Sequence, residues 1–524
     1  MHSRHCRPLS QLIQLATALF ACAPANTAAQ AVPRATAASI EADDLRLRIG
    51  LLAADSLLGR DTGAPGLRTA ADYLAAEMSR LGLEPAGDDG TYLQRVPLER
   101  RSTAATVTGS TPAGDLSLGP GEILPVSGLG GLPVSSREGG SGPLVFAGSI
   151  ADPDVGANEL TLEDLEGAVV IVRFNLPADA DPATAQPRLP IASLFGPESP
   201  ASAVLLVAEE AEEDFWEFAT EVSRTGAVAL SDPSGVGPSG PPFFLISIPV
   251  TEDLLGEGLA TARLPRTELG SLQFELEETV EQIDGWNVAA VLPGREAERA
   301  EEYVALGAHY DHIGVGTPVA GDSIYNGADD NASGTSALVE VAEAMASLPD
   351  EDRPARSVLF VWNTAEEAGL LGSEYFTDQP TVERTAIVAH LNLDMVGRNH
   401  PDSLFVVGSR RISSELGDAV EEVNDRQASP FVLDYTYDSP NHPEQLYCRS
   451  DHYNYARYGI PVVFMSTGLH DDYHATSDHT ELIDFEKAAR VSRFVSDITR
   501  TLADLPERPV VDQDVPPLGT PCQG

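Results

Sequence analysis

The chain has 524 residues, with 33 Lys and Arg against 80 Asp and Glu, a formal net charge of −47. Affinity for nucleic acid rests on cations neutralising phosphates, so this balance argues against a nucleic-acid partner. The same balance argues against an anionic membrane surface. A hydrophobic content of 42% is enough to bury a core and argues against wholesale disorder.

At roughly 100–200 residues per domain, the length suggests two to four domains. The only lysine, Lys487, follows Glu486 and not a glycine, so no phosphate-binding P-loop is present.

The N-terminus reads as an address. Arg4 and Arg7 precede an apolar run over 9–23, and the small residues Ala25, Thr27, Ala28, Ala29 and Ala31 follow. That order is the order of a secretory signal, with cleavage expected near Ala31 and export to the periplasm or the exterior. The run is too short, and too interrupted by Gln11 and Gln14, for a bilayer span of about 20 apolar residues. Leu19-Phe20-Ala21-Cys22 faintly resembles a lipoprotein cleavage box, although Phe20 is bulky there; a lipid anchor at Cys22 is the lesser expectation. A processed chain keeps Cys448 and Cys522. An oxidising compartment allows them to pair. Spacing does not decide between a disulfide and two free thiols.

From 43 to 90 the pattern is helical, with Ala70, Ala71, Tyr73, Leu74, Ala75, Met78 and Leu81 at helical spacing and Gly82 at the stop. A strand is expected over 92–98. Residues 105–270 are rich in Gly, Pro and Ser, with short β runs at 143–147, 168–174, 203–207 and 243–248. They suggest an inserted, mostly β domain. Gly235-Val236-Gly237-Pro238-Ser239-Gly240 matches a dinucleotide-loop pattern, but no strand leads in and Pro241-Pro242 follow, so it is a loop. From Trp286 onward strand-like and helical runs alternate: 288–292, 303–307, 335–348, 357–362, 386–393, 413–423, 461–465 and 485–502. Such alternation predicts an α/β sheet covered on both faces. A Pro-rich tail after Leu505 is expected to be extended.

Metal-ligand residue types gather where predicted strands end. His309-Tyr310-Asp311 follows an apolar run, and residues two apart on a strand point the same way. Asn326-Gly327-Ala328-Asp329-Asp330-Asn331-Ala332-Ser333-Gly334 leads into a helix, where adjacent carboxylates can also serve as caps. Thr364-Ala365-Glu366-Glu367-Ala368-Gly369 offers a Glu pair of which one can bind metal and the other move a proton. Asn392-Leu393-Asp394 and Asp472-Tyr473-His474-Ala475-Thr476-Ser477-Asp478 complete the set. Each cluster alone has a structural reading. Together they place two His and several carboxylates beyond C-terminal strand ends, where open α/β sheets hold their ligands. His and carboxylate without thiolate fit a catalytic zinc pair better than a closed structural site. The chain contains no H-E-x-x-H helix and no G-x-S-x-G elbow.

Taken in order, the series from Gly307-Ala308-His309-Tyr310-Asp311 through Asp330-Asn331-Ala332-Ser333-Gly334, Ala365-Glu366-Glu367, Leu393-Asp394-Met395 and Tyr473-His474 resembles the M28 family of zinc aminopeptidases. Ser450-Asp451-His452 and Gly459-Ile460-Pro461 also look like that family. The resemblance covers about 286–502 and the helix and strand before the insertion.

Residues 105–270 are similar, in texture and position, to the protease-associated insert common there. The implied organisation is a signal peptide over 1–31, the first part of the peptidase domain over 32–104, the insert over 105–270, the catalytic domain over 271–505 and a tail over 506–524. The implied fold is α/β, a mixed central sheet flanked by helices.

The resemblance also implies two zinc ions per chain. His309 and Asp394 would hold one, Glu367 and His474 the other, and Asp330 would bridge them, being chosen over Asp329 because it directly precedes Asn331-Ala332-Ser333-Gly334. Glu366 would be the general base, Asp311 would hold the His309 ring, and Tyr473 would steady the oxyanion. The implied activity is a secreted aminopeptidase acting on peptides with free N-termini. The same fold carries carboxypeptidases, dipeptidases, glutaminyl cyclases and non-catalytic binding proteins. The full ligand set argues against the last two.

Overall fold

The computed structural model describes residues 38–127, 137–152, 159–174, 188–196, 198–209, 213–231, 240–262 and 264–515, with 135, 518 and 522. The expected signal and the glycine-rich stretch 235–239 lie outside the described residues. Ala38–Gly524 form one compact unit.

Four parallel strands make the centre of the peptidase half. Their spatial order is Ser357–Asn363, Tyr303–His309, Ile387–Leu393, Val462–Ser466. All seven residues of Ser357–Asn363 and of Ile387–Leu393 are buried. Continuous apolar runs of this kind mark strands covered on both faces. Antiparallel neighbours close the group on both sides. The end of Ser271–Leu292 pairs with Ser357–Asn363, and Ser403–Val407 pairs with Val462–Ser466. The expected mixed sheet flanked by helices is therefore present.

Alternate strand residues serve the two faces. Ala289, Ala305, Leu359, Val361, Val462 and Phe464 pack with Phe376 and Tyr455 of Leu371–Asp378 and His452–Ala456. On the opposite face Trp362 donates its indole N–H to the Thr335 carbonyl of Gly334–Ala346. That helix packs against Ala42–Leu52, Pro65–Leu81 and Phe485–Asp504. A buried Arg48 ties three of these helices together, bonding Glu77 at 2.7 Å and Glu340 at 2.6 Å, with Glu343 and Tyr73 beside them.

The helical pattern read over 43–90 divides into Ala42–Leu52 and Pro65–Leu81, the latter stopped by Gly82 in the left-handed region at φ 73°. Between them Leu58, Gly59 and Arg60 all take positive φ. A Cβ at Gly59 would meet the Tyr325 carbonyl oxygen at 2.4 Å, so only glycine fits that close approach.

Two long strands join the halves of the chain. Leu93–Thr111 and Ser271–Leu292 pair antiparallel from Leu93 against Val288 to Ser110 against Ser271. At the far end Ser271–Leu292 meets Gly139–Ser149. From there Gly139–Ser149, Val169–Arg173, Ala203–Ala208 and Phe243–Ser247 run parallel. Two apolar clusters cover the two sides of this sheet. Position 105 lies within a strand, and Ser271 opens the returning one.

The pairing of Cys448 with Cys522, left open by the sequence, is resolved as a disulfide with Cα atoms 5.9 Å apart.

Candidate active site

The four parallel strands all deliver their C-terminal ends to one place. His309 is the last residue of its strand. Glu366 and Glu367 follow Ser357–Asn363 after a turn in which Ala365 takes φ 54°. Asp394 directly follows Ile387–Leu393. His474, at φ 55°, comes from the loop after Val462–Ser466. Asp330 enters from the loop that leads into Gly334–Ala346. That loop turns at Gly327, where a Cβ would lie 2.1 Å from the Asp330 carbonyl oxygen.

Asp330 stands between two groups. Its Oδ1 is 3.3 Å from His309 Nε2, which is also 3.3 Å from Asp394 Oδ1. Its Oδ2 is 3.2 Å from His474 Nε2, which is 3.0 Å from Glu367 Oε2. Glu366 Oε2 lies 3.9 Å from His309 Nε2. Asp329 faces elsewhere, accepting the Gly397 N–H at 2.7 Å with its Oδ2 3.3 Å from His470. His309, Asp330, Glu366 and Asp394 are buried, Glu367 is partly buried, and His474, whose side chain is 38% exposed, marks the mouth.

The donor set fits divalent zinc. Four carboxylates and two imidazoles converge with no Lys or Arg among them, and buried carboxylates need cations. Ligand atoms of His309, Glu366 and Asp394, and of His309, Asp330 and Glu367, lie within 4.8 Å of one another. Tetrahedral zinc with bonds of about 2.0–2.1 Å has ligand atoms about 3.3 Å apart, close to the separations around His309 and His474.

Burial and neighbouring charge divide the two adjacent glutamates. Glu366 is pushed well above the usual carboxylate range by burial, with Glu367 and Asp394 adding to it against His309. Glu367 is held low although burial and Asp330 oppose it, because His474 and His312 bond its oxygens. Burial likewise opposes ionisation of Asp330, but hydrogen bonds from His309 and His474 keep it well below the ordinary value.

Asp311 lies 3.8 Å from His309 Nδ1, beyond hydrogen-bond reach. Its carboxylate instead accepts the Glu366 N–H at 3.1 Å and the Glu367 N–H at 3.3 Å. It thus grips the turn that carries both glutamates, and burial raises it to about 7. The Tyr473 ring stacks on His474 at 3.8 Å, and its hydroxyl accepts from Arg449 at 3.3 Å.

Of the supporting residues, His312 and Thr62 escaped the sequence reading, while Asp478 and Ser450 were read only as parts of motifs and given no role. His312 Nδ1 lies 2.6 Å from Glu367 Oε1. The Thr62 hydroxyl reaches Asp311 at 3.4 Å. Asp478 accepts the N–H groups of Asp329 and Asp330 at 2.9 and 3.1 Å. Ser450 donates to Asp394 Oδ2 at 2.8 Å and accepts from Asn392 at 2.8 Å. His312 had one available signal, a second histidine three residues past His309.

Residues 287–499 match the model of peptidase family M28. A probable leucine aminopeptidase of Arthroderma benhamiae is 29% identical over 226 residues, covering 41% of this chain and 57% of that protein. Leucine aminopeptidase 1 of Aspergillus oryzae is 30% identical over 218 residues, covering 38% of this chain and 51% of its own length. The chain thus spans about half the length of these curated relatives. The solved aminopeptidase from Aneurinibacillus sp. strain AM-1 superposes with a TM-score of 0.55 at 17% identity, covering 91% of this chain and 97% of that one, a likeness of fold. The stretch that matches peptidase family M28, residues 287–499, is the one that holds every ligand candidate.

Proposed function

We propose that the chain is an exported aminopeptidase that removes N-terminal residues from peptides, with two zinc ions held by His309 and Asp394, by Glu367 and His474, and by Asp330 between them. The observation that carries this reading is Asp330, whose two oxygens face His309 and His474 at 3.3 and 3.2 Å. Zinc bound there supplies Lewis acidity to a peptide carbonyl and acidifies water.

The chain's own residues supply the remaining chemistry. Glu366 carries a carboxyl whose proton affinity is raised by its buried surroundings, which suits taking a proton from water and passing it to the departing amine. Asp311 fixes the turn that aims Glu366 by binding its N–H. Tyr473, kept protonated at neutral pH by burial and by Asp330 and Glu367, has a hydroxyl available to the oxyanion at the mouth. The burial of Glu366, Asp330 and Asp394 limits water around them.

The test uses peptides with free and with acetylated N-termini, incubated with zinc-loaded protein and with a chelated control, with products identified by mass spectrometry. Stepwise loss from free N-termini only, abolished by chelator, is the expected result. Loss from the C-terminus of both peptides would overturn the substrate assignment in favour of a carboxypeptidase.

A further inference from the structure

Arg60 is 1% exposed, and none of its hydrogen bonds is to a carboxylate. Its Nε donates to the Tyr310 carbonyl at 2.8 Å. Its Nη1 donates to the Asn326 carbonyl at 2.7 Å and to that of Leu52. Its Nη2 donates to the Gly327 carbonyl at 3.0 Å. The Arg60 carbonyl in turn accepts the His312 N–H at 3.3 Å. The other deeply buried arginines, Arg48 and Arg356, pair with carboxylates.

Besides that of Leu52 at the end of Ala42–Leu52, the carbonyls that Arg60 holds belong to two loops. Tyr310 follows His309, and His312 is bonded to Glu367. Gly327 lies three residues before Asp330, and its carbonyl also accepts the Ala332 N–H, which closes the turn around that aspartate. A short hairpin, Gly314–Val319 against Asp322–Tyr325, joins these loops, with Gly314 opposite Tyr325 at its open end; Arg60 adds a side-chain clamp just beyond that end, where the ladder has stopped. A planar guanidinium presents five donors in a fixed fork, which a flexible ammonium cannot copy. Arg60 is itself fixed in a left-handed conformation at φ 53°, beside Gly59, whose missing Cβ admits the Gly314 and Tyr325 carbonyls. Burial lowers its pKa to about 10, so it stays cationic at neutral pH, in the field of Asp311, Asp330, Asp478 and Glu367.

We propose that Arg60 is a positioning residue: it locks the loop that follows His309 to the loop that carries Asp330, and the affinity of the site for zinc depends on that lock. The proposal rests on the zinc reading of the site. It touches neither the ions nor substrate, and it acts through backbone carbonyls.

The experiment compares wild type, Arg60→Lys and Arg60→Met. Folding is followed by circular dichroism, and zinc affinity by competition with a chromophoric chelator. Turnover is measured against free zinc concentration. Support around a metal site is worth 10–100-fold in affinity. The expected result is folded Arg60→Met with zinc binding weakened about 10–100-fold, Arg60→Lys between it and wild type, and KM little changed once zinc is saturating.

Wild-type zinc affinity in a folded Arg60→Met protein would overturn the proposal. Failure of both variants to fold in zinc would assign Arg60 to the fold alone and overturn it equally. Wild-type protein that binds no zinc would sink the zinc reading itself, and Arg60's part with it.

Discussion

His312 and His474 hold the Glu367 carboxylate from its two sides: Nδ1 of the first lies 2.6 Å from Oε1 and Nε2 of the second 3.0 Å from Oε2. Only one of them can share a metal with Asp330 closely, since His312 Nδ1 is 3.9 Å from Asp330 Oδ2 against 3.2 Å for His474. His312 is therefore the residue that orients Glu367. His312→Ala should weaken zinc binding about 10–100-fold, and His312→Asn, which keeps a donor near the Nδ1 position, should recover part of the loss. Isothermal titration of the two variants checks this; equal affinities in both and in wild type would refute it.

Glu366 is the adjacent carboxyl, and its part is different. It is buried, raised in proton affinity and set 3.9 Å from the His309 nitrogen. Replacing it by Gln or Ala should leave the fold and the metals in place and lower kcat by about 10²–10⁴-fold, the usual contribution of an acid–base group. Turnover near wild type in a clean preparation would dismiss the assignment. Metal analysis of the same sample separates loss of the base from loss of the ions.

Asp330 is the residue on which the two-ion reading turns. Its removal should cost metal occupancy, because each histidine would lose the carboxylate oxygen 3.2–3.3 Å away. Asp330→Ala is expected to hold fewer than two zinc ions per chain by mass spectrometry of the native protein. A full complement of two would exclude a bridging role.

The parts legible in the sequence were those with short local signals. Strand runs such as 357–362 and 303–307 are continuous apolar stretches, and their ends directly carry His309, Glu366, Glu367 and Asp394. The supporting residues were illegible for a physical reason. Arg60 and Thr62 lie nearly 250 residues before the Tyr310 carbonyl and the Asp311 carboxylate they reach. An arginine near a helix end reads as solvated until the fold buries it. The disulfide was undecidable for a similar reason: 74 residues separate its cysteines, and only the path of the tail brings them together. The bonds Asp311 makes, to the backbone of the glutamate turn and from the Thr62 hydroxyl, were not legible in residue type, and the His309 ring lies 3.8 Å from it.

That tail gives a stability prediction. Cys522 and Val515 pack beside Cys448 on the cluster that includes Tyr455, Ile460 and Val462. Closing a loop of this length restricts the unfolded chain, and loss of such a bond costs about 2–5 kcal/mol. Cys522→Ser should lower the denaturant midpoint of unfolding while leaving kcat/KM unchanged, because neither cysteine is among the site's ligands. Matching midpoints with and without reductant would contradict it.

The lone lysine allows a pH prediction with a clear sign. Lys487 is 2% exposed and donates to the Arg398 carbonyl at 2.5 Å. Burial lowers its pKa from 10.5 to about 8, against the attraction of Asp329 and Asp484. Between these two values the unfolded chain binds a proton that the folded chain has released, so this group adds stability as pH rises through that window. At pH 7 both states are protonated, and the folded state carries the full cost of burying the ammonium. Lys487→Met removes this linkage. The melting temperature of the variant minus that of wild type should therefore be most favourable to the variant near pH 7 and should fall steadily from pH 8 to pH 10. Every other titrating group is common to both proteins and cancels in that difference. A difference that is flat across the window, or that rises with pH, would show that Lys487 keeps an ordinary ammonium in the folded chain.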